Sequence, residues 1–378
     1  MDKNIKVLFL SKYLNPSGVT TFMFTLGKCL IEKGFDVGIA TDKETIEHDY
    51  SIKKFEDFGF RIYIIPFIGK GYGIENFKRF FKSLISFFQI LKEYKPDIIH
   101  VHWRVTSLYA ELAYRLFGIP YIVTLHLEGI PYDFWAKRFS FWGKFAIAIS
   151  KETYNDLNSV FGIPVNKIKL IYNGVDNNYF RPPTCEEKKR AREIFNLSDD
   201  DKVVCLIGRL SVVKGHDILI KSAVILKREN IRPRFLLAGT GDFNYVKGLL
   251  KNFDIEDQFI FTGFTDSRNV LWASDILVLP SRKEGFPLVI VEAMLCGVVP
   301  IRTPAAGAYD QIDDGINGFI IPFEDSEALA IRIKTLLEDK ELREIMAKNA
   351  IEKAKKVFTA EKMVESYINI YNDIINSK

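Results

Sequence analysis

The sequence predicts an α/β protein made of two doubly wound domains in series, and three observations carry that reading. Short apolar runs of strand length alternate with helix-length amphipathic segments from Ile5 to Ile321, the pattern of parallel strands joined by crossover helices. The alternation is interrupted once, by the polar, proline-bearing stretch 177–201. A chain of 378 residues, 48% of them hydrophobic, is also longer than one core usually organises and has apolar material enough for two.

The first series of strands is expected at 5–10, 37–40, 61–65, 98–101, 121–124, 145–149 and 168–171. The second is expected at 203–208, 235–238, 259–261, 276–279, 298–301 and 319–321. Residues 1–176 thus make a first domain and 177–358 a second. From Asp325 onward the pattern is helical and holds no further strand. No internal repeat or low-complexity segment stands out.

Net charge is only +4, which argues against a general nucleic-acid binder. The basic excess lies in the first half, where residues 1–176 carry 23 Lys and Arg against 18 Asp and Glu, whereas the remainder carries 29 against 30. Cys29, Cys185, Cys205 and Cys296 follow no paired short spacing, as expected of small core residues in a reducing cytosol. The start of the chain enters a strand directly, and no apolar run reaches about 18 residues, so neither a signal peptide nor a membrane span is expected.

The stretch from Pro280 to Gly307 is the most informative. A buried strand at 276–279 is followed by Gly285 and then Pro287, a residue tolerated at the first helical position, so a helix should start near Pro287. Its unpaired amides at Gly285, Phe286 and just beyond, with the positive end of the helix dipole, suit an anion. Glu284 and Glu292 bracket the same terminus, and a carboxylate accepts two hydroxyl hydrogens at once. A terminus fit for a diphosphate beside carboxylates fit for hydroxyls implies a nucleotide-sugar.

Glu284-Gly285-Phe286-Pro287, followed by Glu292-Ala293 and Cys296-Gly297, resembles the E-x7-E signature of the family 4 retaining glycosyltransferases, the glycosyltransferase group 1 type, which have the GT-B fold. The resemblance implies two Rossmann-like domains facing a cleft, with a last helix, near 359–378, crossing back onto the first domain. It also implies transfer of a hexose or N-acetylhexosamine from a UDP- or GDP-sugar. Glu284 would hold the sugar hydroxyls, Glu292 the ribose, and Gly285, Phe286, Pro287 and Leu288 the diphosphate end of the donor.

Other motifs extend the match. Asn15-Pro16-Ser17-Gly18 stands where the family has a paired-glycine phosphate loop; Ser17 replaces the first glycine, and Gly18 alone would admit a phosphate at the start of a helix at 19–33. Arg209 and Lys214 resemble the family's phosphate-binding pair, Arg as a planar fork and Lys as a compact charge near the leaving phosphate. A solvated surface pair is the plainer alternative. Gly239 and Gly241 lie in a turn that lacks the third glycine of a dinucleotide fingerprint, which argues against a dehydrogenase. The resemblance places that turn and the backbone at Phe264 near the nucleotide, although turn glycines need no ligand to explain them. His126 matches the histidine that the family sets by the donor sugar; a capped strand end would also account for it. His100 and His102 share one strand face, but no third ligand completes a zinc set. Tyr172-Asn173-Gly174-Val175-Asp176 matches the family's crossing between domains and reads as a tight turn in which Asn and Gly take left-handed backbone. Ser150 reads as a helix cap.

Two segments combine basic residues with aromatics, Asn76–Lys95 with Lys78, Arg79 and Lys82, and Tyr132–Phe145 with Trp135, Lys137, Arg138, Phe139, Phe141, Trp142 and Lys144. They suit an anionic membrane surface, the alternative being crossover helices packed on their own sheet. The expectation is therefore a cytoplasmic enzyme, peripheral at the inner face of the plasma membrane, with a saccharide or lipid-linked acceptor. No Asp-x-Asp cluster ends a strand, so no metal or other cofactor is expected. Rival readings are an epimerase or phosphorylase-like enzyme of the same fold, or a non-catalytic sugar-nucleotide sensor or membrane adaptor.

Overall fold

The computed structural model describes residues 4–15, 17–42, 49–67, 74–127, 138, 140–251 and 253–377. The chain divides into two compact units, Met1–Gly174 with Ala360–Lys378, and Val175–Thr359.

The first unit holds a seven-stranded sheet of β1 (Lys6–Leu10), β2 (Asp36–Thr41), β3 (Arg61–Ile64), β4 (Ile98–Val101), β5 (Tyr121–Leu125), β6 (Ala146–Ala148) and β7 (Ile168–Leu170), in the order β3-β2-β1-β4-β5-β6-β7. Every pairing is parallel. One face packs on the helices Gly18–Glu32 and Ala360–Asn376, through Phe22, Met23, Leu26, Met363, Tyr367 and Tyr371. The other face packs on Phe87, Leu91 and Tyr94 of the helix Ile74–Tyr94 and on Tyr109 of the helix Ser107–Phe117. The strands read as continuous apolar runs because helices cover both faces.

The second unit repeats the plan with β8 (Val203–Ile207), β9 (Arg234–Ala238), β10 (Phe259–Gly263), β11 (Ile276–Leu279), β12 (Val299–Arg302) and β13 (Phe319–Ile320), in the order β10-β9-β8-β11-β12-β13. Each strand lies within a residue or two of its expected position, because buried strands and punctuating turns leave a local signal. Cys205 and Cys296 are buried and Cys185 is exposed; no disulfide joins the four cysteines.

In both sheets the chain order reverses beside the first strand, between β1 and β4 and between β8 and β11. Loops leaving the carboxyl ends of the two strands at such a switch point part to opposite faces of the sheet and leave a crevice where ligands bind. In the second unit those are the loops that carry Lys214 and Glu284. The loops after β8, β9 and β10 are laced by backbone bonds, Gly208 N to Ala238 O at 2.9 Å, Leu210 N to Thr240 O at 2.8 Å and Gly239 N to Gly263 O at 2.9 Å.

Three sequence expectations change. Neither Asn173 nor Gly174 adopts positive φ. The segment runs on as extended chain: the Gly174 amide lies 3.1 Å from Met363 Sδ, and Val175 bridges Thr359 in parallel, so pairing with the returning chain takes the place of a tight turn. The apolar stripe of Ile74–Tyr94 is split: Phe80, Leu84, Phe88 and Leu91 pack inward, whereas Phe77, Phe81 and Ile85 are 64%, 49% and 60% exposed. Arg79 also turns inward, donating to the Phe67 carbonyl at 2.6 Å and pairing with buried Asp42 at 2.9 Å, which takes it away from a surface role. Ser150 does cap its helix, accepting from the Thr153 amide in a capping box. Pro16, Trp135, Lys137 and Phe139 lie outside the described residues.

Gly239 has φ +141°, and a Cβ there would stand 2.1 Å from the Gly208 carbonyl oxygen, whereas a Cβ on helical Gly248 would meet nothing within 4 Å. Gly239→Ala is expected to cost about 1–3 kcal/mol in urea unfolding, and Gly248→Ala to stabilise by about 0.5–1 kcal/mol. Equal effects would show that the loop contact does not constrain Gly239.

Candidate functional site

The helix Leu288–Cys296 is buried along almost its whole length, with Val289 alone not buried, as expected of a helix that is apolar on every side. Pro287 is its N-cap, with φ −66° and ψ 116°, one position earlier than expected, and the helix proper starts at Leu288. No side chain caps this terminus. The helices starting at Gly18, Cys185, Phe243 and Ser326 each have an N-cap side chain that accepts a first-turn amide. The first turn of Leu288–Cys296 thus has no side-chain acceptor, and of its amides Ile290 donates to the Pro287 carbonyl at 3.3 Å.

Lys214 ends a short 3-10 turn, Val212–Lys214, in the loop after β8. Gly215 follows with φ +72°, where a Cβ would lie 2.1 Å from the Pro280 carbonyl oxygen, so only glycine lets this loop lie on the end of β11. The lysine stem passes over Gly208, and its Nζ donates to Glu284 Oε1 at 2.6 Å. Lys214 is partly buried and Glu284 is buried. Two residues expected to have separate tasks therefore form one ion pair across the switch point, where the carboxylate fixes the ammonium in place.

The loop around this pair is braced from both sides. Arg282 forks onto Asp217 at 2.9 and 2.8 Å and onto Glu324 at 2.6 Å through each of two nitrogens. Fully buried Arg302 donates to the carbonyls of Thr303, Ala305 and Ala306 and to Gln311 Oε1, and Gln311 Nε2 donates to the Pro287 carbonyl at 3.0 Å. No sequence motif announced these braces; for Arg302, a charge closing the apolar run of β12 was the only signal. Gly307, with φ +75°, lies against Gly285 and Phe286, and the Phe286 ring packs on Phe358 at 5.4 Å.

Glu292 lies a turn along the helix, buried, with Ser267 as a hydrogen-bond partner and Asp266 nearby. Burial pushes its carboxyl up to about 7, and the Asp266 charge adds to the rise. Tyr179 Oη donates to Asp266 at 2.6 Å, and the Arg268 guanidinium lies 4.0 Å from the Tyr179 ring, a cluster that no sequence motif announced. Arg209 is exposed and Phe264 is 65% exposed, both on loops at the carboxyl edge of the sheet. Gly241, with φ +137°, is required by its approach to Leu210, as Gly239 is by Gly208.

In the first unit, Gly18 opens its helix in the loop after β1, and a Cβ there would meet nothing within 4 Å, so protein packing does not demand the glycine. Ser17 accepts from the Thr20 amide at 3.3 Å. His126 follows β5 and is half-buried, its Nε2 3.3 Å from His102 Nδ1, and burial lowers its pKa to about 3. His100, on β4, is fully buried, with Nδ1 against Tyr371 Oη and Nε2 against Thr124 Oγ1, both at 2.7 Å. Among the described residues no group of three His, Cys, Asp or Glu is placed to hold a metal ion, and no helix is long and apolar enough to cross a membrane.

Residues 187–353 match the family described as "Glycosyl transferases group 1", and residues 16–179 match "Glycosyltransferase Family 4". An N-acetyl-alpha-D-glucosaminyl L-malate synthase of Bacillus anthracis is 30% identical over 292 residues, 74% of this chain and 75% of the relative. The chain belongs to the family 4, group 1 glycosyltransferases. A UDP-Gal:alpha-D-GlcNAc-diphosphoundecaprenol alpha-1,3-galactosyltransferase of Escherichia coli is 28% identical over 79% of this chain and 80% of its own length. The crystal structure of Anabaena Alr3699/HepE in complex with UDP-glucose superposes with a TM-score of 0.84 at 22% identity, covering 98% of this chain and 100% of that one. The fold is GT-B.

Because the folded-state pKa of Glu292 is raised, the folded protein holds a proton that the unfolded chain releases between about 4.5 and 7. Its contribution to stability is fully present below the ordinary carboxyl range and is lost as pH rises through about 7. Glu292→Gln removes this titration. Relative to that variant, the wild type should lose roughly 3 kcal/mol of unfolding free energy between pH 4.5 and 8; parallel pH profiles would refute the raised pKa.

Proposed function

We propose that this protein is a retaining glycosyltransferase. It moves a hexose or N-acetylhexosamine from a UDP- or GDP-sugar to a hydroxyl of a saccharide or lipid-linked acceptor, in glycan, lipopolysaccharide or polysaccharide synthesis. The Lys214–Glu284 pair, set beside an uncapped helix terminus at a sheet switch point, carries this reading. It offers in one place a cation and amides for a diphosphate and a carboxylate for hydroxyls. The relative that acts on a diphosphoundecaprenol-linked sugar supports a lipid-linked acceptor, and the neighbour that binds UDP-glucose supports a UDP-sugar donor.

Breaking the bond between sugar and diphosphate builds negative charge on the departing oxygen and positive charge at the sugar carbon. Lys214, Arg209 and the amides of Gly285 and Phe286 stabilise the first, in a loop already braced by Arg282 and Arg302. The departing phosphate oxygen takes the acceptor's proton as the new glycosidic bond forms on the face it leaves, so the anomeric configuration is kept and no protein nucleophile is needed. Glu284 holds sugar hydroxyls, Glu292 the ribose and His126 the sugar, while Gly18, Gly239, Gly241 and Phe264 line the donor. Cations and amides take the place of a metal in this scheme.

Lys214 meets charge that exists only in the transition state, whereas Arg209 and the amides still bind the ground state without it. Lys214→Ala should therefore lower turnover at saturating donor by about 100- to 1000-fold with a smaller change in donor Kd. The test is steady-state assay with chelator present, product configuration by NMR, and calorimetry of donor binding. A loss wholly in Kd, a requirement for added metal, or an inverted product would each break the mechanism.

The split helix Ile74–Tyr94 supports a peripheral membrane role at the cytoplasmic face. Phe77, Phe81 and Ile85 form an exposed stripe flanked by exposed Lys78 and Lys82, with Arg138 and Lys144 elsewhere on the same unit. Each lysine that reaches an anionic surface adds about 1 kcal/mol. Phe81→Ser with Lys78→Ser and Lys82→Ser should abolish sedimentation with phosphatidylglycerol vesicles while leaving donor binding intact. Unchanged sedimentation would make the stripe an ordinary exposed face.

A further inference from the structure

Three imidazoles lie together at the carboxyl ends of β4 and β5. His100 and His102 straddle Val101, with ring centroids 4.0 Å apart. His102 is sealed by the edges of Phe9 at 4.8 Å and Phe22 at 5.6 Å. Its Nδ1 faces His126 Nε2 at 3.3 Å, and its Nε2 is buried with no hydrogen-bond partner. Burial depresses the pKa of all three rings, His126 to about 3, so each is neutral at physiological pH.

A neutral imidazole has one N–H and one lone pair, so the contact between His102 and His126 allows two arrangements. In one, His126 Nε2–H donates to His102 Nδ1, and His102 must then carry its own hydrogen on Nε2, an N–H buried without an acceptor. In the other, His102 Nδ1–H donates to His126 Nε2, and only a lone pair on His102 Nε2 is unsatisfied. A buried orphan N–H is the rarer and costlier defect. The second arrangement is favoured.

We propose that His102 is a positioning residue that locks His126 in its Nδ1–H tautomer, so that His126 presents a hydrogen-bond donor to substrate. The ligand atom it meets is then an oxygen lone pair, on a sugar hydroxyl, ring or phosphate, and not a hydroxyl hydrogen. With its Nε2 lone pair already engaged by His102, His126 has no site at which to take a proton from the acceptor hydroxyl. That proton must go elsewhere, as the departing phosphate oxygen allows. The substrate contact rests on the function proposed above; the tautomer does not.

The experiment reads the tautomer first, in the full-length, ligand-free protein labelled with 15N-histidine. Ring-nitrogen shifts distinguish protonated from bare nitrogens, and His126 is assigned by its missing signals in His126→Gln. The expected result is Nδ1–H with a bare Nε2; Nε2–H on His126 overturns the proposal, whether or not any transfer activity is found. Kinetics then compare His102→Leu, which removes the donor, with His102→Asn, whose side-chain amide stands where Nδ1–H was. His102→Leu should lower kcat/KM by about tenfold, the worth of one ordinary hydrogen bond, and His102→Asn should restore most of it. Equal losses in two folded variants would make His102 a packing residue and overturn its positioning role. If His102→Leu does not fold, the tautomer measured in the wild type and the activity of His102→Asn decide.

Discussion

The second unit depends on how closely two loops approach at one place in its sheet. Where β8 and β11 lie side by side, the turn after β8 rests on the end of β11 so tightly that Gly215 has no room for a side chain against the Pro280 carbonyl. Gly239 and Gly241 close the same stack from β9, against Gly208 and Leu210. This backbone contact, and not the charge itself, puts Lys214 within 2.6 Å of Glu284. Ion pairs near a surface contribute little to stability on their own. The loops are held by glycine contacts and backbone hydrogen bonds, and the pair is set by the loops.

The same arrangement explains why so much of the region is buried and braced. A helix terminus without a side-chain cap, and a buried carboxylate paired with a lysine, are costly to hold in place unless the surrounding chain leaves them no alternative. Arg282 ties the loop to Asp217 and Glu324, and Arg302 reaches the Pro287 carbonyl through Gln311. Preorganisation of this kind lets charge developing on a leaving group find its partners already placed. In the first unit, His126 is held by packing against Phe22 and by His102. There too the group nearest solvent is oriented by groups that never reach it.

The position of each strand was legible in the sequence, because a buried parallel strand is a local apolar run and its end is a local turn. So was the helix start at 287–288, because a glycine, a proline and a following apolar helix describe a helix start on their own. Other readings failed where a neighbour distant in sequence intervened. The left-handed turn expected at Asn173 and Gly174 is an extended segment, since the chain returning at Thr359 offers backbone for it to pair with. Arg79, expected at a surface, is drawn inward by Asp42, 37 residues earlier in the chain.

The sequence by itself determined the family, the alternation of strands and helices, and which residues carry charge or hydrogen-bonding groups, because each is written in residue type and short spacing. The tertiary structure decided which of them meet. Lys214 and Glu284 are 70 residues apart, and only the strand order β8-β11 makes them partners. Glu292 has a raised pKa because the fold buries it, and His126 has a defined hydrogen-bonding face because β4 sets His102 beside it. Both are effects of burial and of through-space contact, and neither leaves a trace in local sequence.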